Sequence, residues 1–179
     1  MNIDLDGRFE VAAGRQTAFD YITDPRRFGP LLPYFREIKE VGPDFFRLGL
    51  EVGVPQIRGT ADVHVHVVER VPGQLARYRS TTKMALGVVD SDLSFRLDDA
   101  AGGTAVTWQT RSKVRGNLAS IAGGILAPLA RRNINAVIES LQAALGAMPG
   151  AGAAAEATPA APAARPSLWQ RLLAWWRSR

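Results

Sequence analysis

The chain of 179 residues contains no cysteine and only two histidines. The first absence excludes disulfides, thiolate nucleophiles and cysteine metal sites. The second leaves His64 and His66, two positions apart on one predicted strand and so on one face of it, with Asp62 as the nearest acid. Their alternation partners Val63, Val65 and Val67 claim the interior, so the histidines are read as solvent-facing and no metal site is expected. The chain also lacks a GxSxG nucleophile elbow, a phosphate loop, a dinucleotide fingerprint and an HExxH motif. It has no run of about 20 apolar residues of the kind that spans a bilayer. Its first six residues, MNIDLD, carry acids where a signal peptide needs basic and then apolar side chains. This predicts a protein that stays in the cytoplasm.

Charge is present, but unevenly. There are 22 basic and 17 acidic residues, and Arg165, Arg171, Arg177 and Arg179 all lie in the last fifteen, RPSLWQRLLAWWRSR. The first 164 residues are therefore close to neutral, which argues against a nucleic-acid-binding face on the body. Three of the four tryptophans share this end. On a helical wheel Leu168, Trp169, Leu172, Leu173, Trp175 and Trp176 form one arc, while Gln170, Arg171, Ala174, Arg177 and Ser178 form the other. Ser167 and Pro166 supply a helix start. The pattern predicts an amphipathic helix over 165–179 that lies on a membrane surface, with docking into a partner protein's groove as the alternative. Leu168, Trp169, Arg171, Leu172, Leu173, Trp175, Trp176 and Arg177 are its candidate membrane contacts. Residues 147–164 are alanine-rich and interrupted by prolines, a flexible linker reaching at most about 60 Å when extended.

Residues 1–146 read as one domain. Apolar and polar residues alternate over 3–11; short helical patterns follow at 16–22 and 26–32. Six further strands are predicted over 35–41, 45–53, 57–70, 75–84, 88–98 and 104–114, separated by turn residues such as Pro72-Gly73 and Ala101-Gly102-Gly103. Asp98-Asp99 belongs to such a turn. A last helix over 118–145 is expected to kink at Pro128. The class is α+β, with an antiparallel meander and a long C-terminal helix.

The inward-facing series of these strands carries no acid, lysine, arginine or histidine, yet it holds the hydroxyls of Tyr78, Ser80, Thr82, Ser91, Thr110 and Ser112. A dry core would have to satisfy these internally. The helix adds small residues, Gly123, Ala127 and Ala130, before the larger Ile134, Val137, Ile138, Leu141 and Leu145. Small side chains there either let the helix sit close to the sheet or leave a hollow beside it; the hydroxyls favour the hollow. The candidate ligand-binding residues are Phe46, Leu48, Leu50, Val65, Tyr78, Ser80, Thr82, Met84, Ser91, Leu93, Phe95, Trp108, Thr110, Gly123 and Ala127. No catalytic residue is assigned, because Tyr78 is the only proton donor of acid–base character on that face.

Several segments resemble the START-like (SRPBCC) superfamily and, within it, the family of the carbon monoxide dehydrogenase G-subunit. They are Phe19 through Asp24-Pro25, Leu32-Pro33, Val41-Gly42-Pro43-Asp44, Gly59, Gly103-Thr104 with Val106 and Trp108, and Gly116-Asn117-Leu118-Ala119. Where that family usually has a glycine-rich run, this chain reads Thr82-Lys83-Met84-Ala85-Leu86-Gly87. The resemblance implies a helix-grip (START/Bet v1-like) fold, a seven-stranded curved sheet wrapped round the C-terminal helix. It also implies a hydrophobic cavity, no covalent cofactor, and a bound lipophilic small molecule such as menaquinone or ubiquinone. The implied setting is the inner face of the cell membrane, with a molybdenum hydroxylase such as carbon monoxide dehydrogenase as partner. Two rival expectations remain, a recruitment anchor without ligand and a START-like polyketide cyclase or dehydratase.

Overall fold

A computed structural model of the chain describes residues 1–54, 57–121 and 124–146. The linker (147–164), the tail (165–179) and Gly123 lie outside the described residues. The order is β1 (Asn2–Val11), α1 (Arg15–Thr23), α2 (Pro25–Phe28), a 3-10 turn (Gly29–Leu31), β2 (Phe35–Val41), β3 (Phe45–Val54), β4 (Ile57–Val71), β5 (Leu75–Met84), β6 (Gly87–Ala100), β7 (Gly103–Arg115), α3 (Asn117–Ile121) and α4 (Leu126–Gly146). The strands form one antiparallel sheet in the order β1-β7-β6-β5-β4-β3-β2. This is the expected meander, with β1 added beside the last strand.

Local chemistry explains the punctuation. α1 buries Ala18, Phe19 and Ile22 on one side. It stops at Asp24, whose carboxylate accepts a hydrogen bond from the Arg26 backbone N–H at 2.9 Å and so caps α2, with Pro25 in its first turn. At the β6–β7 turn Gly103 has φ +147°, and a Cβ there would overlap the Val11 carbonyl oxygen, so only glycine fits. The next residue, Thr104, is fully buried and donates its hydroxyl to the Ala13 carbonyl at 2.8 Å, fixing the end of β1 against β7.

The C-terminal helix differs from expectation. Two helices stand where one was predicted, and the interruption precedes Pro128 instead of occurring at it. Pro128 occupies the first turn of α4, where a missing backbone N–H costs nothing. Gly124, a residue type poor in helix propensity, lies between them.

Apolar burial gathers in two clusters at opposite ends of the concave face. One joins Val11, Phe19, Ile22, Tyr78, Leu97 and Val106 to Leu141 and Leu145 of α4. The other packs Val114 and Leu118 against Ile3, Val52, Met84, Leu86, Val89 and Leu126. Leu141 and Leu145, 3% and 0% exposed, each contribute about 1.5–3 kcal/mol by the burial of a large aliphatic side chain. They pin the C-terminal half of α4 to the sheet.

Candidate functional site

Between the two clusters short hydroxylated side chains interrupt the apolar lining of the sheet. On β5 the inward series runs Ala76 and Tyr78 in the first cluster, Ser80 and Thr82 in the middle, and Met84 in the second. On β6 it runs Val89, then Ser91 and Leu93, then Phe95 and Leu97; on β7 it runs Val106, then Trp108 and Thr110, then Val114. The hydroxylated residues thus fall in one band across three adjacent strands, β5, β6 and β7. Where they stand, the space between sheet and helix is not filled. The result is a cavity of about 370 Å³.

Its wall contains most of the predicted residues. β3 supplies Phe46, Leu48 and Leu50; β4 supplies Val63 and Val65; β5 supplies Tyr78, Ser80 and Thr82. Ser91, Leu93 and Phe95 come from β6, and Trp108 and Thr110 from β7. Two expectations differ. Met84 faces the concave side but packs in the second cluster beneath α3, so alternation fixed its face and not its position along the hollow. Ala127, in the first turn of α4, is half-buried and does not border the cavity. Ser112 also stands off the wall, and its hydroxyl and that of Ser91 satisfy each other at 2.8 Å.

Sequence reasoning placed Ile134, Val137, Ile138 and Leu141 of the last helix against the sheet but missed the part of the roof that precedes β2. Ile22, Thr23, Pro25 and Phe28 from α1 and α2, with Leu32 and Pro33 after the 3-10 turn, close one side. Asn133, Ile134, Val137, Ile138 and Leu141 of α4 close another. The short helices carried no signal of where they dock, although Asn133 is recoverable as the residue beside Ile134 on the inward arc of α4. Arg131 and Arg132 are exposed.

None of the lining side chains is an acid, lysine, arginine or histidine. Three aromatic rings form a corner: the Tyr78 ring meets Phe46 edge-on at 6.4 Å between centroids and Phe95 at 5.9 Å. Trp108 lies over Gly7, its partner across β1 and β7, where a Cβ would come within 2.9 Å of the indole. Two buried donors of this wall, the Tyr78 hydroxyl and the Trp108 indole N–H, have no hydrogen-bond partner. Burial raises the Tyr78 pKa, and the nearby Arg70 offsets part of that rise. The cavity therefore accepts apolar surface and offers neutral donors to an oxygen acceptor.

A cluster of charged side chains sits on the convex face of the sheet. Asp62 pairs with Arg47 at 3.1 Å, His64 at 3.2 Å and Lys39 at 3.3 Å, which gives His64 a carboxylate neighbour on the strand's outer side. The ring of His66 lies 6.3 Å from that of Phe45. Partial burial works to raise the Asp62 pKa, but the hydrogen bonds from Arg47, His64 and Lys39 and the Lys39 charge outweigh it and hold the carboxyl at about 2, below its ordinary 3.8. The stabilisation is fully present above pH 3.8 and is lost as the pH falls through about 2, because the unfolded chain takes up the proton first. Thermal melts of the wild type should show this loss between those values, and Asp62→Asn should remove that part of the acid dependence. A variant whose melting temperature tracks the wild type's across the same range would show that the cluster contributes nothing.

The fold is shared with solved structures of low sequence identity. A conserved protein from Geobacillus kaustophilus is 18% identical, covers 82% of this chain and 95% of its own, and superposes with a TM-score of 0.74. A protein from Chromobacterium violaceum is 14% identical, with 79% of this chain and 96% of that one covered and a TM-score of 0.63. The di-domain ARO/CYC StfQ from the steffimycin biosynthetic pathway is 14% identical over 81% of this chain and 51% of its own, with a TM-score of 0.61. A search of curated proteins returned no match. These likenesses establish the START-like helix-grip fold alone. Sequence goes further, because the pattern of the family described as the carbon monoxide dehydrogenase G-subunit (CoxG) matches residues 7–146, the whole of the cavity-bearing domain apart from its first six residues. The START-like, cavity-bearing body described above is that of a member of the CoxG family.

Proposed function

We propose that the protein is a membrane-tethered carrier for a flat lipophilic molecule, a quinone such as menaquinone or ubiquinone, and that it serves a molybdenum hydroxylase of the carbon monoxide dehydrogenase type. The observation that carries this reading is the cavity: about 370 Å³ of space walled by aromatic and aliphatic side chains, with scattered hydroxyls and no ionised group on the lining. A guest that resides in lipid has to be met there. In this reading the Trp- and Arg-rich residues 165–179 hold the body at the inner membrane surface through the linker 147–164. Among the described residues no helix is long and apolar enough to cross a bilayer. The family name supplies the partner, since it describes a component of carbon monoxide dehydrogenase.

The guest receives electrons from the partner enzyme, and the chain contributes binding, orientation and location. Acid–base turnover of the kind a cyclase or dehydratase needs calls for titratable groups poised near the substrate. The lining offers Tyr78, whose pKa burial pushes up and Arg70 partly restores. A pure recruitment anchor would have no use for a hollow in its core. Protein purified from its native membrane without detergent exchange, extracted with organic solvent and analysed by mass spectrometry, should yield an isoprenoid quinone in near-equal amount to the chain. Extracts that contain none, from protein still able to bind vesicles, would leave the anchor reading in its place.

A further inference from the structure

A β-bulge decides what stands at one end of the cavity. β4 and β5 pair without interruption from Ala61 opposite Met84 to Val67 opposite Tyr78; the register then shifts, so that Glu69 faces Arg77 and Arg70 faces Ala76. Strict alternation from Val67 would put Arg70 on the convex side. The extra residue, Val68, is 57% exposed and reverses that parity. Because Ala76 is fully buried, Arg70 leaves the backbone on the concave face beside it. Its side chain runs to the rim and is exposed there. At the rim it lines a recess of about 300 Å³ together with Thr23, Pro25 and Phe46, three residues that also wall the main cavity.

Tyr78 reaches the same boundary from inside. The residue is 6% exposed and its hydroxyl has no partner. The Arg70 guanidinium lies near the phenol oxygen without reaching hydrogen-bond geometry, close enough to counter part of the effect of burial on the phenol. Arg70 itself has no carboxylate within 4 Å among the described residues. The two acids of the recess are engaged elsewhere, Asp20 by the Gln16 amide at 2.8 Å, and Asp24 by the Arg26 N–H and by Arg27. Two donors, one buried and neutral, the other cationic and unpaired, thus converge on one end of an otherwise apolar space. Donors arranged in this way await an acceptor oxygen.

We propose that Tyr78 and Arg70 form the polar end of the cavity and receive the carbonyl oxygen of a guest's ring, while the guest's apolar body lies against Phe46, Phe95 and Ile134. This assignment rests on the carrier reading, but it can fail while that reading stands. The phenol hydroxyl has no hydrogen-bond partner in the protein without a guest, so Tyr78→Phe should melt at the wild-type temperature or above it. Its effect should be confined to oxygen-bearing guests.

The test is calorimetric titration of the full-length protein with 2-methyl-1,4-naphthoquinone and with 2-methylnaphthalene, which shares its rings and lacks the carbonyls. Tyr78→Phe should weaken naphthoquinone binding about five- to tenfold, the worth of one net hydrogen bond in a dry site. Arg70→Met, which keeps an apolar stem and removes the donors, should weaken it by at least as much. Both variants should bind the hydrocarbon within about twofold of wild type. Equal losses for the two probes, unchanged naphthoquinone binding, or a lowered melting temperature for Tyr78→Phe would overturn the polar-end assignment and leave the carrier reading standing. Failure of the wild type to bind either probe would overturn the carrier reading itself and with it the assignment.

Discussion

Replacing Ser80 with phenylalanine is expected to abolish guest binding while the protein becomes more stable. Ser80 sits at mid-strand on β5, opposite Val65 on one side and Ser91 on the other, and its side chain borders the hollow. A phenyl ring there occupies the space of one ring of a two-ring guest. In a close-packed core such a change forces neighbours off their rotamers. Here the added ring meets empty space, and cavity filling commonly stabilises by about 0.5–2 kcal/mol. Affinity for a naphthoquinone should fall at least tenfold, about 1.4 kcal/mol or more. Opposite signs for stability and affinity are the diagnostic. A destabilised Ser80→Phe with normal affinity would mean that the space is a packed region and that guests bind elsewhere.

The second large effect concerns the membrane. A chain ending at Ala164 lacks Arg165, Arg171, Arg177 and Arg179 and three tryptophans. Each arginine near an anionic leaflet contributes about 1 kcal/mol, so the charges alone account for a loss of about a hundredfold or more in partition onto vesicles rich in anionic phospholipid. Loss of the apolar arc adds to it. Sedimentation with such vesicles should retain the full chain at low salt, retain less of it at high salt, and leave the truncated chain in the supernatant. Equal sedimentation of both chains would place the membrane contact on the body and remove the role assigned to residues 165–179.

What was legible in the sequence follows from what is local. Alternation in β3 to β7 assigns a face to each residue, and the turn residues at Pro72-Gly73 and around Gly103 place the strand ends. Of the six inward hydroxyls so assigned, Tyr78, Ser80, Thr82, Ser91 and Thr110 border the cavity, while Ser112 stands off its wall. Depth along the strand is not local. Met84 faces inward yet belongs to the second cluster, because its position depends on where α3 docks. The roof from Ile22 to Pro33 was invisible for the same reason, since a short helix covers whichever part of the sheet the tertiary fold brings beneath it. Arg70 illustrates a third limit. The bulge at Val68 has no distinctive residue type to announce it, and one unannounced residue moves a cation from the outer face to the rim of an apolar cavity. In the C-terminal helical region Pro128 was a poor guide to the break, because a proline in the first turn of a helix is tolerated.

The claim beneath all of this is that a lipophilic ring system binds inside the body, beside Trp108. Trp169→Phe, Trp175→Phe and Trp176→Phe together leave Trp108 as the sole tryptophan of a full-length chain, 7% exposed on the cavity wall. Titrating that variant with 2-methyl-1,4-naphthoquinone should quench its fluorescence along a saturating curve with a stoichiometry of one, and Ser80→Phe in the same background should remove the saturable component. Quenching that rises linearly with quinone and is indifferent to Ser80→Phe would mean that no guest enters the cavity, and would contradict the account.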